Sequence, residues 1–506
     1  MLASSGVVFG VSFAVYSLAI VAVGLYAARF ARKSDEDFFL AGRSLGKWVA
    51  ALSASASSES GWVTLGLVGM AYSGGVQAYW IIPGCLFGFA FNWFIVAGRM
   101  NDRARALGAV TLPDMFSMHF RERVPVLRIL SVVVILLAML LYVAAQFAAA
   151  GKAFDASFDG MGYRTGVLLG AAIVLVYTIC GGFRAVCWTD FVQALLMVAT
   201  LFVFPIYLLA TRGGFAFVND QLGRVDPSLL RSWPHGGSLV VIGFLLGSGA
   251  LGINFGYPGQ PHVLIRFMAM KSRADAIVAG VIAIVWGGLV YWGAVTVGLI
   301  VRALTASGAA WAQPMLDNPT IYGEHGLVLA ARHLIPGVLS GMVLAAVLAA
   351  ICSTADSQLV VAASAGANDL YARLVARSRE RGHMLLNRGV VFGLGVVAVL
   401  LVIDKEVQVY KYVLDYGWAI LGASFGPQVI LLLFWKRASY AGCIAGMTVG
   451  LAVALLANVF AADIEAYVGV AVYSLPLAFV SALLVNGIVS VVTGPPARHG
   501  DAQWDA

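Results

Sequence analysis

Runs of about twenty mostly apolar residues recur along this chain from one end to the other, and nothing else limits its fold so strongly. A helix of about that length crosses the hydrocarbon core of a bilayer. Backbone groups in lipid must be satisfied inside their own helix or in a closed barrel, so an open sheet is excluded. Composition agrees: 61% of the 506 residues are hydrophobic and 11% charged, where a soluble domain has about 45–50% and about 25%. Lipid must cover such a surface. The runs fall at 6–28, 48–73, 75–98, 126–149, 164–182, 188–211, 238–262, 275–301, 334–363, 387–403, 411–435, 439–460 and 467–492. They predict one all-α integral membrane domain with about 13 transmembrane helices and no large soluble part.

Thirteen crossings put the termini on opposite sides of the membrane. The Lys and Arg residues divide unequally between alternate loops, 23 against 9. The richer set includes Arg43, Arg99, Arg184, Arg266 and Arg377; the poorer includes Lys152, Arg302 and Arg332. By the positive-inside rule the richer set is cytoplasmic, which leaves the N-terminus outside and the C-terminus inside the cell membrane. The net charge of +7 is then a topology signal, and no nucleic-acid partner is expected. The first run is long, lacks a preceding basic stretch and is followed by basic residues, so it reads as a span and not as a cleaved signal. The five cysteines have no paired spacing that suggests a disulfide framework or a zinc site. No phosphate-binding G-x-x-x-x-G-K-[ST] and no H-E-x-x-H occur, and no enzymatic activity is expected. The tail after Val492 is short, so no output domain is expected either. A transporter without an ATP-hydrolysing motif of its own must draw on an ion gradient.

Two spans are interrupted. The second holds SASASSESGW, Ser53–Trp62, a run of small hydroxyl residues with an acid inside it; serines compete for backbone hydrogen bonds and weaken helices. The seventh holds GSGALGINFGYPGQPH, Gly247–His262, whose glycines and two prolines cannot keep one unbroken helix. Irregular backbone at membrane depth survives only where it lines a cavity or is buried in protein. The two spans lie five apart and run in opposite directions. This is the pattern of a 5+5 inverted repeat with a broken first helix in each half, about 48–211 and about 238–435, with extra helices 6–28, 439–460 and 467–492. Small-residue packing faces are the plainer reading of such runs; it fits the seryl stretch alone better than it fits the inverted pair.

Polar residues inside spans narrow the site. Glu59 sits in the middle of the second span, where a carboxylate is costly and functional by default; its structural alternative is a buried anchor for the break. The ninth span carries CSTADSQ, Cys352–Gln358. Hydroxyl and carbonyl oxygens suit a small hard cation, so Ser353 and Thr354 are candidate ligands, although a hydroxyl pair in a membrane helix is usually bonded back to its own backbone. Asp356 serves either that site or a neighbouring helix. Asp190 opens the sixth span, where an acid also suits a helix N-terminus. Gly84 and Gly88 read as helix packing.

Five stretches together resemble the sodium:solute symporter family, most closely its sodium/proline symporters. They are AGRSLGKWVAALSASASSESGW (Ala41–Trp62), VAGRMNDRARALGAVTLPDMFSMHF (Val96–Phe120), GGFRAVCWTDFVQA (Gly181–Ala194), GQPHVLIRFMA (Gly259–Ala269) and LAAVLAAICSTADSQL (Leu344–Leu359). The resemblance implies a LeuT-type fold and a sodium site between the broken second helix and the ninth. Its ligands would be the carbonyls of Ala56, Glu59 and Ala350 and the hydroxyls of Ser353 and Thr354. It further implies sodium handling at Asp190, ion release linked to Arg43, and a solute cavity touched or flanked by Tyr142, Trp62, Tyr257, Gln260 and Pro261. Ser57 and Glu59 are expected to line the same cavity, and Ser58 and Asp356 are expected along the ion pathway. The chain departs from the proline symporters at Ser58, where they carry an Asp, at Glu59, where they are apolar, and at Ile253, where they carry a tryptophan.

The expectation is therefore a secondary active transporter that couples sodium to a small solute, an amino acid such as proline. The alternatives are proton coupling through Glu59 with another amino or organic acid, and a solute-sensing membrane protein without net transport.

Overall fold

The computed structural model describes residues 40–494 apart from 181 and 376–379, together with scattered residues between 10 and 26. Most of the first expected span, and Arg29, Arg32 and Lys33 after it, lie outside the described residues. The helices that frame the site are α1 (Lys47–Ser58), α2 (Ile81–Ala90), α3 (Val126–Ser157), α4 (Phe183–Thr211), α5 (Pro261–Ala269), α6 (Asp275–Ala306), α7 (Gly337–Ser364) and α8 (Ala419–Phe434).

Both expected interruptions are real breaks. α1 starts after an extended Gly46 and runs through small residues to Ser58, where Glu59 leaves helical space at φ −102°, ψ 77°. The chain resumes at Trp62 in a wide turn of π-helix. In the second break, a short helix, Ser238–Leu245, gives way to a 3₁₀ segment, Leu251–Gly259; an extended Gln260 then leads into α5 with Pro261 at its first position. Proline is tolerated there because the first helical N–H groups have no partner to lose.

α1 packs against α4, α6 and α7, and α5 packs back on α1. In lipid, apolar burial does not hold helices together; close van der Waals contact does. The alanines at 345, 346, 349 and 350 make α7 narrow enough to sit at the centre, with all four buried. Gly84 and Gly88 do the same for α2: a Cβ at Gly84 would stand 2.2 Å from the Ala250 carbonyl, and one at Gly88 2.0 Å from the Tyr257 ring. The packing role expected of this pair is what the structure gives it.

Eight helical runs among the described residues are long and apolar enough to cross a membrane. That is fewer than thirteen, for identifiable reasons. The first expected span lies mostly outside the described residues, the two broken spans are split into pieces, and Tyr163–Val176 and Leu386–Val402 fall just short. One run, Trp62–Leu107, has 46 residues, roughly 70 Å of helix at about 1.5 Å per residue. Gly75 interrupts it at φ +69°, and a Cβ there would meet the Leu229 carbonyl at 2.2 Å.

Candidate functional site

A break in a buried helix frees polar backbone that must find partners. At the first break Gln146 of α3, Ser60 and Trp62 supply them. Gln146 Oε1 accepts from the Gly61 N–H at 3.1 Å, and its Nε2 donates to Ser60 Oγ at 3.1 Å. Ser60 Oγ in turn accepts from the Trp62 N–H, and the Trp62 indole donates to the Ser58 carbonyl. At the second break Gln260 Nε2 donates to the carbonyls of Gly256 and Trp418, Trp418 Nε1 to the Ile253 carbonyl, and Asn92 Nδ2 to the Tyr257 carbonyl. Gln146, Asn92 and Trp418 are not candidates on sequence grounds. Gln146 and Asn92 are single polar residues among apolar ones, Trp418 is one aromatic among several, and only the packing gives each a role.

Four of the five expected ion ligands meet between α1 and α7. Ser353 Oγ donates to the Ala56 carbonyl at 3.0 Å and to the Ala350 carbonyl at 3.1 Å; Thr354 Oγ1 donates to the Ala56 carbonyl at 3.3 Å. All four residues are buried. Two carbonyls and two hydroxyls thus converge on the last turn before the break, the donor set that a small alkali cation prefers. The fifth, the Glu59 carbonyl, belongs to the break itself; the Glu59 carboxylate makes contacts of its own, Oε1 accepting from Ser58 Oγ at 3.0 Å and from the Tyr257 hydroxyl at 3.3 Å.

Aromatic rings surround that carboxylate. The hydroxyls of Tyr257 and Tyr291 are 3.2 Å apart. Trp62 lies 6.3 Å from Tyr291 and 6.1 Å edge-on to Tyr410, and Tyr257 is edge-on to Trp418 at 4.8 Å and to Phe89 at 5.2 Å. Tyr142 of α3 is edge-on to His262 at 6.1 Å. Of the expected solute group, Glu59, Trp62 and Tyr257 are thus brought together. Tyr142, Gln260 and Pro261 lie at or beside the second break.

Ser57 and Asp190 join a different cluster, one turn deeper along α1. Asp190 Oδ2 accepts from Ser53 Oγ at 2.7 Å and from Ser57 Oγ at 3.0 Å, and Arg266 of α5 pairs with the same oxygen at 3.0 Å. Neither charged side chain has any exposed surface. This corrects the loop count, which placed Arg266 in a cytoplasmic connection. The seventh span resumes as a helix after Pro261 and carries Arg266 inside the protein. Lys152 is a second such correction. It is fully buried near the end of α3, with Nζ 2.7 Å from Glu324 Oε2. Glu324 also accepts from the backbone N–H groups of Val409 and Tyr410, each at 3.0 Å. Arg43 and Arg128 of the richer set are buried too; with all four set aside the count is 20 against 8.

Arg43 donates to the carbonyls of Ala109 at 2.8 Å and Met268 at 3.4 Å, at the end of α5 remote from the break. Asp356 is wholly buried on α7, three residues beyond Ser353.

The sodium:solute symporter family model matches residues 38–450. The chain is 36% identical over 442 residues to a sodium/proline symporter of Salmonella typhimurium, covering 87% of this chain and 86% of that one. It is 33% identical over 494 residues to the osmoregulated proline transporter OpuE of Bacillus subtilis, covering 96% and 95%. Among solved structures, a Na+-coupled sialic acid symporter aligns over 97% of this chain and 99% of its own, with a TM-score of 0.77 at 18% identity. The nucleobase-cation-symport transporter Mhp1 aligns over 92% and 97%, with a TM-score of 0.53 at 14% identity. These likenesses give the chain the LeuT-type fold. With two broken helices and a family match across most of its length, the chain belongs to the sodium:solute symporter family.

Proposed function

We propose that this chain is a sodium-coupled symporter that carries a small amino-acid solute, proline before others, into the cell. One observation carries the reading. In a member of this family, the Ser353 and Thr354 hydroxyls of an unbroken helix meet the Ala56 carbonyl at the end of a broken one. A cation at that junction, held by Ala56, Glu59 and Ala350 carbonyls with Ser353 and Thr354, ties α1 to α7 and so fixes the break. Solute binds beside it, where Glu59, Trp62, Tyr142 and Tyr257 stand with Gln260 and Pro261. Proline is favoured because curated relatives at 33–36% identity over most of this chain carry it. The coupling is reciprocal: sodium raises solute affinity by the factor by which solute raises sodium affinity. Two five-helix repeats, about 48–211 and about 238–435, rock against each other, and the basic loops face the cytoplasm. Ser58 holds Glu59 at the break, while Arg43, Asp190 and Asp356 flank the way out.

Glu59 supports a second reading, proton coupling. Its carboxyl is wholly buried, and among the described residues its partners are hydroxyls and no cation pairs with it. Such a group can carry a proton in place of a sodium ion.

The test is uptake of labelled proline, then of a panel of amino acids, into proteoliposomes under an imposed sodium gradient. Accumulation that collapses when sodium is replaced by potassium is expected. Solute binding without flux under any gradient would overturn the transporter reading in favour of a sensor.

A further inference from the structure

One oxygen of the Glu59 carboxylate is fully engaged and the other is not. Oε1 accepts from Ser58 Oγ at 3.0 Å and from the Tyr257 hydroxyl at 3.3 Å. Oε2 is buried and accepts no hydrogen bond among the described residues. The buried cations nearby are spoken for: Arg266 pairs with Asp190, Arg128 with Asp114 and Asp369, and Lys152 with Glu324. A buried carboxylate without a cation is costly, so its partner is one that arrives from outside the protein.

The surroundings narrow that partner. Tyr257, whose hydroxyl meets Glu59, stands 3.2 Å from the Tyr291 hydroxyl and edge-on to Phe89 at 5.2 Å and Trp418 at 4.8 Å. Trp62 continues the wall, 6.3 Å from Tyr291 and 6.1 Å from Tyr410. All of these rings are buried. They converge from both breaks, from α2 and α6, and from the chain leading into α8. A bare alkali ion takes several hard oxygens, as at Ala56, Ala350, Ser353 and Thr354. Here a single free carboxylate oxygen stands among aromatic rings. An organic ammonium suits both parts: aromatic rings attract it, and its N–H groups donate to a carboxylate.

We infer that the Glu59 carboxylate is the counter-ion of the solute's own ammonium group, so that Glu59 selects small zwitterions that keep a charged nitrogen and rejects isosteres that lack one. The inference rests on the sodium-symport reading above, because a carboxylate occupied by a transported proton has no charge to offer an ammonium. The aromatic wall then reads the shape of the solute, and Glu59 reads its nitrogen.

Competition against sodium-driven uptake of labelled proline in proteoliposomes decides this. The competitors are unlabelled proline and tetrahydrofuroate, the same ring with an ether oxygen in place of the ammonium. The wild type should prefer proline by about 100-fold, since a site built for a substrate N–H rejects the isostere without it. In Glu59→Gln the inhibition constant of proline should rise about tenfold and that of tetrahydrofuroate hardly at all. A fault of folding or ion coupling moves both constants together and leaves their ratio unchanged. An unchanged ratio in Glu59→Gln, or a wild-type preference below about tenfold, overturns the inference and leaves symport intact. Where Glu59→Gln gives no uptake, the wild-type ratio decides alone. Absence of sodium-driven proline uptake by the wild type removes proline from the proposed function, and thermal unfolding of the purified protein in sodium then decides the inference. Some amino acids should stabilise it by mass action and their matching hydroxy acids should not; stabilisation by the hydroxy acids, or by neither class, overturns it.

Discussion

The Ser353 hydroxyl and the Ala56 carbonyl, 3.0 Å apart, join an unbroken helix to the last turn of a broken one. The final carbonyls of a helix have no partner within it, so the break at Glu59 is what frees Ala56 to serve another group. Ser353→Ala removes one hard oxygen from this junction without adding bulk. The sodium concentration for half-maximal uptake should rise about tenfold, the equivalent of about 1.4 kcal/mol. Uptake at saturating sodium should change much less. A sodium titration of initial rates checks both.

The break itself depends on Gln146. Gln146→Leu keeps the volume and leaves the buried Gly61 N–H without its acceptor, while Ser60 Oγ keeps only the Trp62 N–H. An unsatisfied buried group costs about 1–3 kcal/mol. Thermal unfolding in detergent should occur at a lower temperature, and uptake should fall with it.

Both breaks are legible in the amino-acid sequence, because Ser, Gly and Pro act on local backbone and leave their mark within a dozen residues. The Ala56–Ser353 junction becomes legible through family resemblance. The buried ion pairs do not. Arg266 and Asp190 are 76 positions apart, and Lys152 and Glu324 are 172 apart. A lone basic residue just past an irregular run looks like loop charge until the helix that carries it is seen. Gln146 is hidden for the opposite reason: one amide in a long apolar helix has no periodic signature.

The Lys152–Glu324 pair gives a graded expectation. Removing one partner of a buried pair costs about 3–5 kcal/mol. Glu324 serves Lys152 and two backbone N–H groups, whereas Lys152 serves Glu324 and, at 3.8 Å, the part-exposed Glu406. Glu324→Ala should therefore destabilise more than Lys152→Met. The double variant should be no worse than Glu324→Ala alone. Thermal unfolding of the three variants tests the order.

Glu59→Gln separates the two coupling ions. The amide keeps an oxygen for Ser58 and Tyr257 and cannot carry a proton at that position. Sodium-driven uptake should persist within about tenfold of wild type. Any uptake driven by a pH gradient without sodium should disappear. Loss of sodium-driven uptake with intact folding would move Glu59 from the edge of the solute site into the coupling step.

Coupling is most directly read from the ion side. Vesicles with equal sodium on both faces and an inward proline gradient should take up labelled sodium against no chemical gradient of its own, and Ser353→Ala should slow that uptake at low sodium. Proline that enters such vesicles with no accompanying sodium would contradict sodium-coupled symport.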